Sequence, residues 1–128
     1  MGAPAAIAIL DGSAGPPLDI VDGDGEARAV VWPGMGARAR SLHHLWLGAG
    51  ARTVALAHPC EAVYYVVDGA GSVTDANGGE TQTLRVGSMF HVDPGTPYVA
   101  EAGAAGMELV GGPAPADPAQ YAALEGGG

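Results

Sequence analysis

An imidazole, a thiol, a carboxylate and a phenol fall within one short run: His58, Cys60, Glu61 and Tyr64, with Tyr65 directly behind. An imidazole can act as a general acid or base near neutral pH, or ligate a metal. Glu61 could add a carboxylate to such a site. A second run, Gly87-Ser88-Met89-Phe90-His91-Val92-Asp93-Pro94-Gly95-Thr96-Pro97-Tyr98, carries a further histidine and tyrosine. His43 and His44 are adjacent, so on a strand only one can face inward. The inward one could join His58 as a second imidazole. Cys60 is the only cysteine, which excludes an internal disulfide and a thiolate metal cluster. The chain has no lysine, so Schiff-base and lysine-nucleophile mechanisms are excluded as well.

These groups fall on a chain patterned for strands. Ala27–Trp32, Ala39–Leu47, Thr53–His58, Glu61–Val67 and Ser72–Asp75 read as strands. Thr81–Val86, Gly87–Asp93, Tyr98–Ala102 and Met107–Val110 continue the series, with turn signals between them. Asn77-Gly78 is a hairpin signal. Nothing between 27 and 112 has helical periodicity. With 22 glycines and 10 prolines among 128 residues, the composition suits an all-β, turn-rich sandwich or barrel. Alternation along the strand puts Tyr64 on the same face as Ala62, and Tyr65 on the other; His91 alternates outward from Phe90. Residues 1–26 form an arm with edge strands, 27–112 the barrel, and 113–128 a C-terminal tail. That tail holds one helical turn over Ala119–Leu124 and an end, Gly126-Gly127-Gly128, that should fray. Asp22-Gly23-Asp24-Gly25-Glu26 lacks the full ligand pattern of a calcium loop and reads as a solvated turn.

The two runs, with glycines at 50, 69, 87 and 95, resemble the paired motifs of the cupin superfamily. The resemblance covers roughly residues 40–112 and implies a single jelly-roll β-barrel with a short C-terminal extension. In that family the lumen usually holds a metal on three histidines and a glutamate. Carried over one position at a time, those ligands fall on Leu56, His58, Ala62 and Tyr98. One good ligand is kept, and the ungapped match implies that the usual metal is lost. A β-bulge near Pro59-Cys60 would turn Glu61 inward. His58, Glu61 and Tyr98, with His43 or His44, could then rebuild a site for a divalent iron, zinc, nickel or manganese ion. The string Glu61-Ala62-Val63-Tyr64, with Gly69 and Gly71 beyond, resembles ectoine synthase, a cupin that closes a ring by eliminating water.

The resemblance implies a small-molecule enzyme in which His58 and Tyr98 act as a lumenal acid–base pair, with Tyr64 beside them. Isomerases, cyclases (the polyketide type among them) and dehydratases or lyases of bacterial secondary metabolism fit that description. A metal-dependent dioxygenase or lyase, and a non-catalytic barrel that binds a small ligand, remain open alternatives. Arg40 and Arg52 could pair a substrate carboxylate. The net charge of −9 repels nucleic acid and anionic lipid. The apolar run Met1–Leu10 is short and lacks a positive leader, and no segment reaches membrane-spanning length, so a cytoplasmic protein is expected. Family habit and poorly protected N-terminal edge strands imply a homodimer.

Overall fold

The computed structural model describes residues 6–125, so the glycines expected to fray lie outside the described residues. Nine strands are found among these residues. They are β1 (Pro17–Leu18), β2 (Val21–Asp22), β3 (Gly25–Val31), β4 (Leu42–Leu47), β5 (Arg52–Thr53), β6 (Glu61–Asp75), β7 (Thr81–Arg85), β8 (Met89–Val92) and β9 (Tyr98–Ala114). Every pairing is antiparallel.

Strands β6 and β9 pair along nearly their whole length, from Glu61 opposite Ala114 to Asp75 opposite Tyr98. On its other edge β6 meets β8 through residues 62–65 and β7 through residues 70–74. The outer edge of β9 meets β4 near one end and β5 near the other. The two long strands therefore serve both walls of a nearly closed barrel. One wall runs β1-β3-β4-β9-β6-β8 and the other β2-β5-β9-β6-β7. This is the all-β, jelly-roll architecture expected from the sequence.

The sequence pattern divides 61–75 and 98–114 into two strands each, whereas the chain keeps pairing through both corners. Gly69 and Gly106 make this possible. They take φ +79° and +78°, and a Cβ on Gly69 would stand 2.1 Å from the carbonyl oxygen of Gly106. The two backbones cross the corner in contact, which leaves no room for a side chain. The register shifts of β6 against β9 fall at the same corner, around residues 66–71. The strand expected over Thr53–His58 is shorter: past Thr53 it retains one bridge, Leu56 opposite Tyr98.

Alternation along the strands separates the two faces. Leu45, Leu47, Tyr64, Val66 and Leu109 are buried inside, while Tyr65, Val67 and Met89 are exposed outside. The tail ends in a 3₁₀ turn over Pro118–Tyr121 followed by a helical turn, Ala122–Glu125. It folds back onto the barrel. Tyr121 is completely buried, its ring centroid 5.2 Å from that of Trp32, and Ala116 and Leu124 pack against the core. No helix among the described residues is long and apolar enough to cross a membrane.

Gly69→Ala combines a left-handed backbone with a steric clash against the facing strand. It should destabilise the fold by at least about 2 kcal/mol. Urea unfolding of the variant beside Gly78→Ala checks this. Gly78 also has positive φ, but open space surrounds the position of its missing Cβ. A loss at Gly69 no larger than at Gly78 would remove the argument from close approach.

Candidate functional site

Four side chains from separate parts of the chain form one buried line. Asp117 lies in the tail, His58 follows β5, Tyr98 opens β9, and Tyr64 belongs to β6. A carboxylate oxygen of Asp117, Oδ2, is 2.8 Å from Nδ1 of His58. Nε2 of the same ring is 2.7 Å from the Tyr98 hydroxyl, which in turn is 2.9 Å from the Tyr64 hydroxyl. All four residues are at most 5% exposed.

Local structure fixes each member. Tyr98 and Leu56 exchange backbone hydrogen bonds of 2.8 and 2.9 Å, and Gly95 N–H donates to the His58 carbonyl at 2.7 Å. With residues 56 and 58 both inward, the imidazole is brought to the phenol opposite. Asp117 is held twice, because its Oδ1 accepts the backbone N–H of Ala119 at 3.1 Å. It is thus the N-cap of the 3₁₀ turn, with Pro118 as the first residue inside.

Proton placement follows from the partners. A carboxylate only accepts, so His58 Nδ1–H donates to Asp117. With the ring proton on Nδ1, Nε2 can accept the Tyr98 O–H, and the Tyr98 oxygen can then accept the Tyr64 O–H. Each hydrogen in the line has one acceptor. Burial pushes the Tyr64 phenol up to about 12, and burial with the neighbouring Tyr64 pushes Tyr98 well above the ordinary tyrosine range. Both phenols therefore remain protonated at neutral pH.

A second imidazole meets the tail nearby. His43, on β4, is fully buried, and its Nε2 lies 2.6 Å from the Tyr121 hydroxyl. Its Nδ1 has no hydrogen-bond partner. Burial, with His58 close by as the smaller cause, lowers His43 to about 4. The ring is neutral at physiological pH.

A cavity of about 540 Å³ opens between β7 and β8, at the edges of the two walls. Phe90 and Tyr98 form its aromatic part. Of the four residues in the buried line, only Tyr98 faces this space. Tyr98 is therefore the member positioned to touch a bound molecule. His58 and Asp117 lie behind it in the line.

Of the residues singled out in the sequence, His58, Tyr98 and Tyr64 come together, and His43 is the inward member of its pair. Three expectations need correction. The bulge that would turn Glu61 inward is absent: β6 runs in register from Glu61 against Ala114, Ala62 faces the core, and the Glu61 side chain is 60% exposed. His44 faces outward, against Trp46 and Glu108. Arg40 and Arg52 are exposed and border no part of the cavity. His91 is half-exposed at the rim, 3.6 Å from Glu61.

The donor set does not fit a metal. Both ring nitrogens of His58 are committed, Leu56 offers no donor, and Nδ1 of His43 is the one uncommitted nitrogen of the two inward imidazoles. Among the described residues no group of three or more His, Cys, Asp or Glu is placed to hold an ion. The rebuilt His58–Glu61–Tyr98 site, with His43 or His44, is not assembled. Cys60 Sγ–H points to the Pro115 carbonyl, and burial raises its thiol pKa, so it is a poor nucleophile.

Asp117 and Tyr121 escaped the sequence reading. A signal for them existed: Asp117-Pro118 is a helix-start pair, and Tyr121 follows at helical spacing on the same side.

Residues 43–106, half of the chain, match the family model described as the cupin domain, and the chain belongs to the cupin family. Solved structures agree on the fold. A cupin-like protein from Thermotoga maritima has a TM-score of 0.68 at 19% identity, covering 79% of this chain and 76% of its own. An RmlC-like cupin from Shewanella frigidimarina gives 0.67 at 24%, covering 88% and 93%. Ectoine synthase from P. lautus gives 0.65 at 22%, covering 85% and 76%. No curated protein matches the sequence.

The depressed His43 predicts an acid sensitivity. The unfolded chain takes up a proton on this ring as pH falls through about 6.5, and the folded chain does so only near 4. Stability due to His43 is therefore full above pH 6.5, falls between 6.5 and 4, and levels off below, by at most about 3 kcal/mol. His43→Gln should flatten the change in urea midpoint between pH 7 and pH 4.5. An unchanged slope in the variant would contradict the burial of a neutral ring.

Proposed function

We propose that this cupin is an enzyme that moves protons on a small organic molecule bound against Tyr98. Isomerisation, cyclisation and dehydration are the reaction types that fit. The observation carrying this reading is the buried hydrogen-bonded line Asp117–His58–Tyr98, of which Tyr98 alone lines the cavity.

The line works as a relay. A substrate C–H or O–H bond breaks, and its proton passes to the Tyr98 oxygen. The proton that Tyr98 held passes at the same time to Nε2 of His58. The imidazolium so formed lies against the Asp117 carboxylate, which offsets the positive charge in a buried setting. Because burial disfavours a free phenolate, the two transfers are coupled, and Tyr98 stays neutral throughout. In the return step Nε2–H gives its proton to Tyr98, and Tyr98 gives its own to the substrate. Delivery to a different carbon completes an isomerisation. Delivery to a departing hydroxyl releases water and completes a dehydration.

Tyr64 supports the relay by donating to the Tyr98 oxygen, which limits rotation of that hydroxyl. Asp117 is a positioning residue: it selects the tautomer with a free Nε2 lone pair.

The test is deuterium uptake from D2O into a panel of small ketones and hydroxyketones, followed by mass spectrometry. Tyr98→Phe should lower the exchange rate 10²- to 10⁴-fold. Asp117→Asn should lower it less, about 10- to 100-fold, and shift its pH profile, because the amide no longer stabilises the imidazolium. Absence of exchange with wild-type protein across the panel, or equal rates with Tyr98→Phe, rejects the proposal.

A further inference from the structure

The cavity is charged on one side only. Asp75, Glu80 and Asp93 border it, as does His91, and no arginine does. None of the five arginines of the chain, Arg28, Arg38, Arg40, Arg52 and Arg85, is a lining residue, although Arg85 ends β7 beside Leu84, which is one. Arg28, for example, lies on β3 and is turned to Glu26 and to the Gly15 carbonyl. Even the imidazole at the rim is already faced by carboxylates, with Glu61 at 3.6 Å and Asp93 at 3.8 Å. Deeper in, Phe90 and Tyr98 present aromatic rings, with Tyr64 stacked behind Phe90 at a centroid distance of 5.1 Å.

A molecule bearing a carboxylate or phosphate would enter this space against three like charges and find no cation to pair with. A protonated amine meets the opposite: three carboxylates along the cavity, and the aromatic residues Phe90 and Tyr98 in its lining. We infer that the cavity selects a small organic ammonium compound and rejects anionic ones. The inference deepens the acid–base reading, on which it rests for placing the reacting atom at Tyr98. It also argues against a substrate carboxylate paired by Arg40 or Arg52, both of which are exposed and outside the cavity lining.

Three aromatic probes of similar shape separate the cases: benzylamine (protonated at pH 7), benzyl alcohol and benzoate. Amide shift changes at Phe90, His91 and Tyr98, followed by NMR titration at low salt, give each dissociation constant. Benzylamine should bind at least tenfold more tightly than benzoate, and 0.5 M sodium chloride should reduce that preference. In Glu80→Gln/Asp93→Asn, affinity for benzylamine should fall at least threefold, while that for benzyl alcohol stays within twofold. The inference is overturned if benzoate binds as tightly as benzylamine, if the double variant keeps the full preference, or if none of the probes shifts these amides. Repeating the titration with Tyr98→Phe separates the two proposals. In Tyr98→Phe, a preserved ammonium preference beside unaffected deuterium exchange would sink only the relay; in the wild-type protein, no ammonium preference beside deuterium exchange that Tyr98→Phe abolishes would sink only the charge selection.

Discussion

The buried contact between Asp117 and His58 sets the geometry of the site, and its strength comes from how fully each partner is used. A carboxylate removed from water is costly unless its oxygens are hydrogen-bonded. Here one oxygen accepts the imidazole N–H and the other caps the turn that follows. The same capping orients the next turn and carries Tyr121 inward to His43. One aspartate thus docks the tail, chooses the tautomer of His58 and leaves a lone pair facing Tyr98. Displacing the tail would leave two imidazoles buried without those partners, so tail docking and site geometry are coupled.

The barrel supplies the other half of the arrangement. Tyr64 and Tyr98 lie on strands that pair with each other, yet far apart along them: Tyr64 faces Gly111, and Tyr98 faces Asp75. Their hydroxyls meet only because β6 and β9 bend together and bring opposite ends of the ladder across the lumen. The glycine corner at 69 and 106 therefore bears on the chemistry, since a straighter pair of strands would separate the two phenols. The same bend parts β7 from β8 and opens the cavity beside Tyr98.

Strand alternation and turn residues made an all-β sandwich or barrel legible in the sequence and set Tyr64 on the face of Ala62, while the inward placement of His58 and Tyr98 came from the resemblance to the cupin motifs. Two things were not legible. Alternation cannot show whether two short strands are one bent strand, because a glycine between them serves equally as a turn or as a corner. The pattern 61–75 illustrates this: Asp68-Gly69 reads as a stop, and only the facing Gly106 reveals a continuation. The tail posed a different problem. Its helix-start pair and the spacing to Tyr121 mark a turn, but nothing local tells that Asp117 meets an imidazole 59 positions earlier. A long-range contact of this kind is set by the closing of the barrel, which a reading of neighbours cannot supply.

The fate of the expected metal site follows from the same contact. Where family members place imidazoles and a carboxylate around one point, this chain has Leu56, Ala62 and Tyr98 beside a single histidine, and Asp117 of the tail and Tyr98 between them occupy both nitrogens of that histidine. Rebuilding an ion site would require His58 to give up both Asp117 and Tyr98, and Glu61 to cross from the solvent face of β6 to the lumen. A one-residue slip of β6 could do the latter only by exposing Ala62, Tyr64 and Val66 together, since every side chain of a strand changes face at once. Burying those apolar groups is worth several kcal/mol in sum. The packing of β6 thus opposes an ion site, and what the lumen holds in its place is two protonated phenols hydrogen-bonded to an imidazole that a carboxylate anchors.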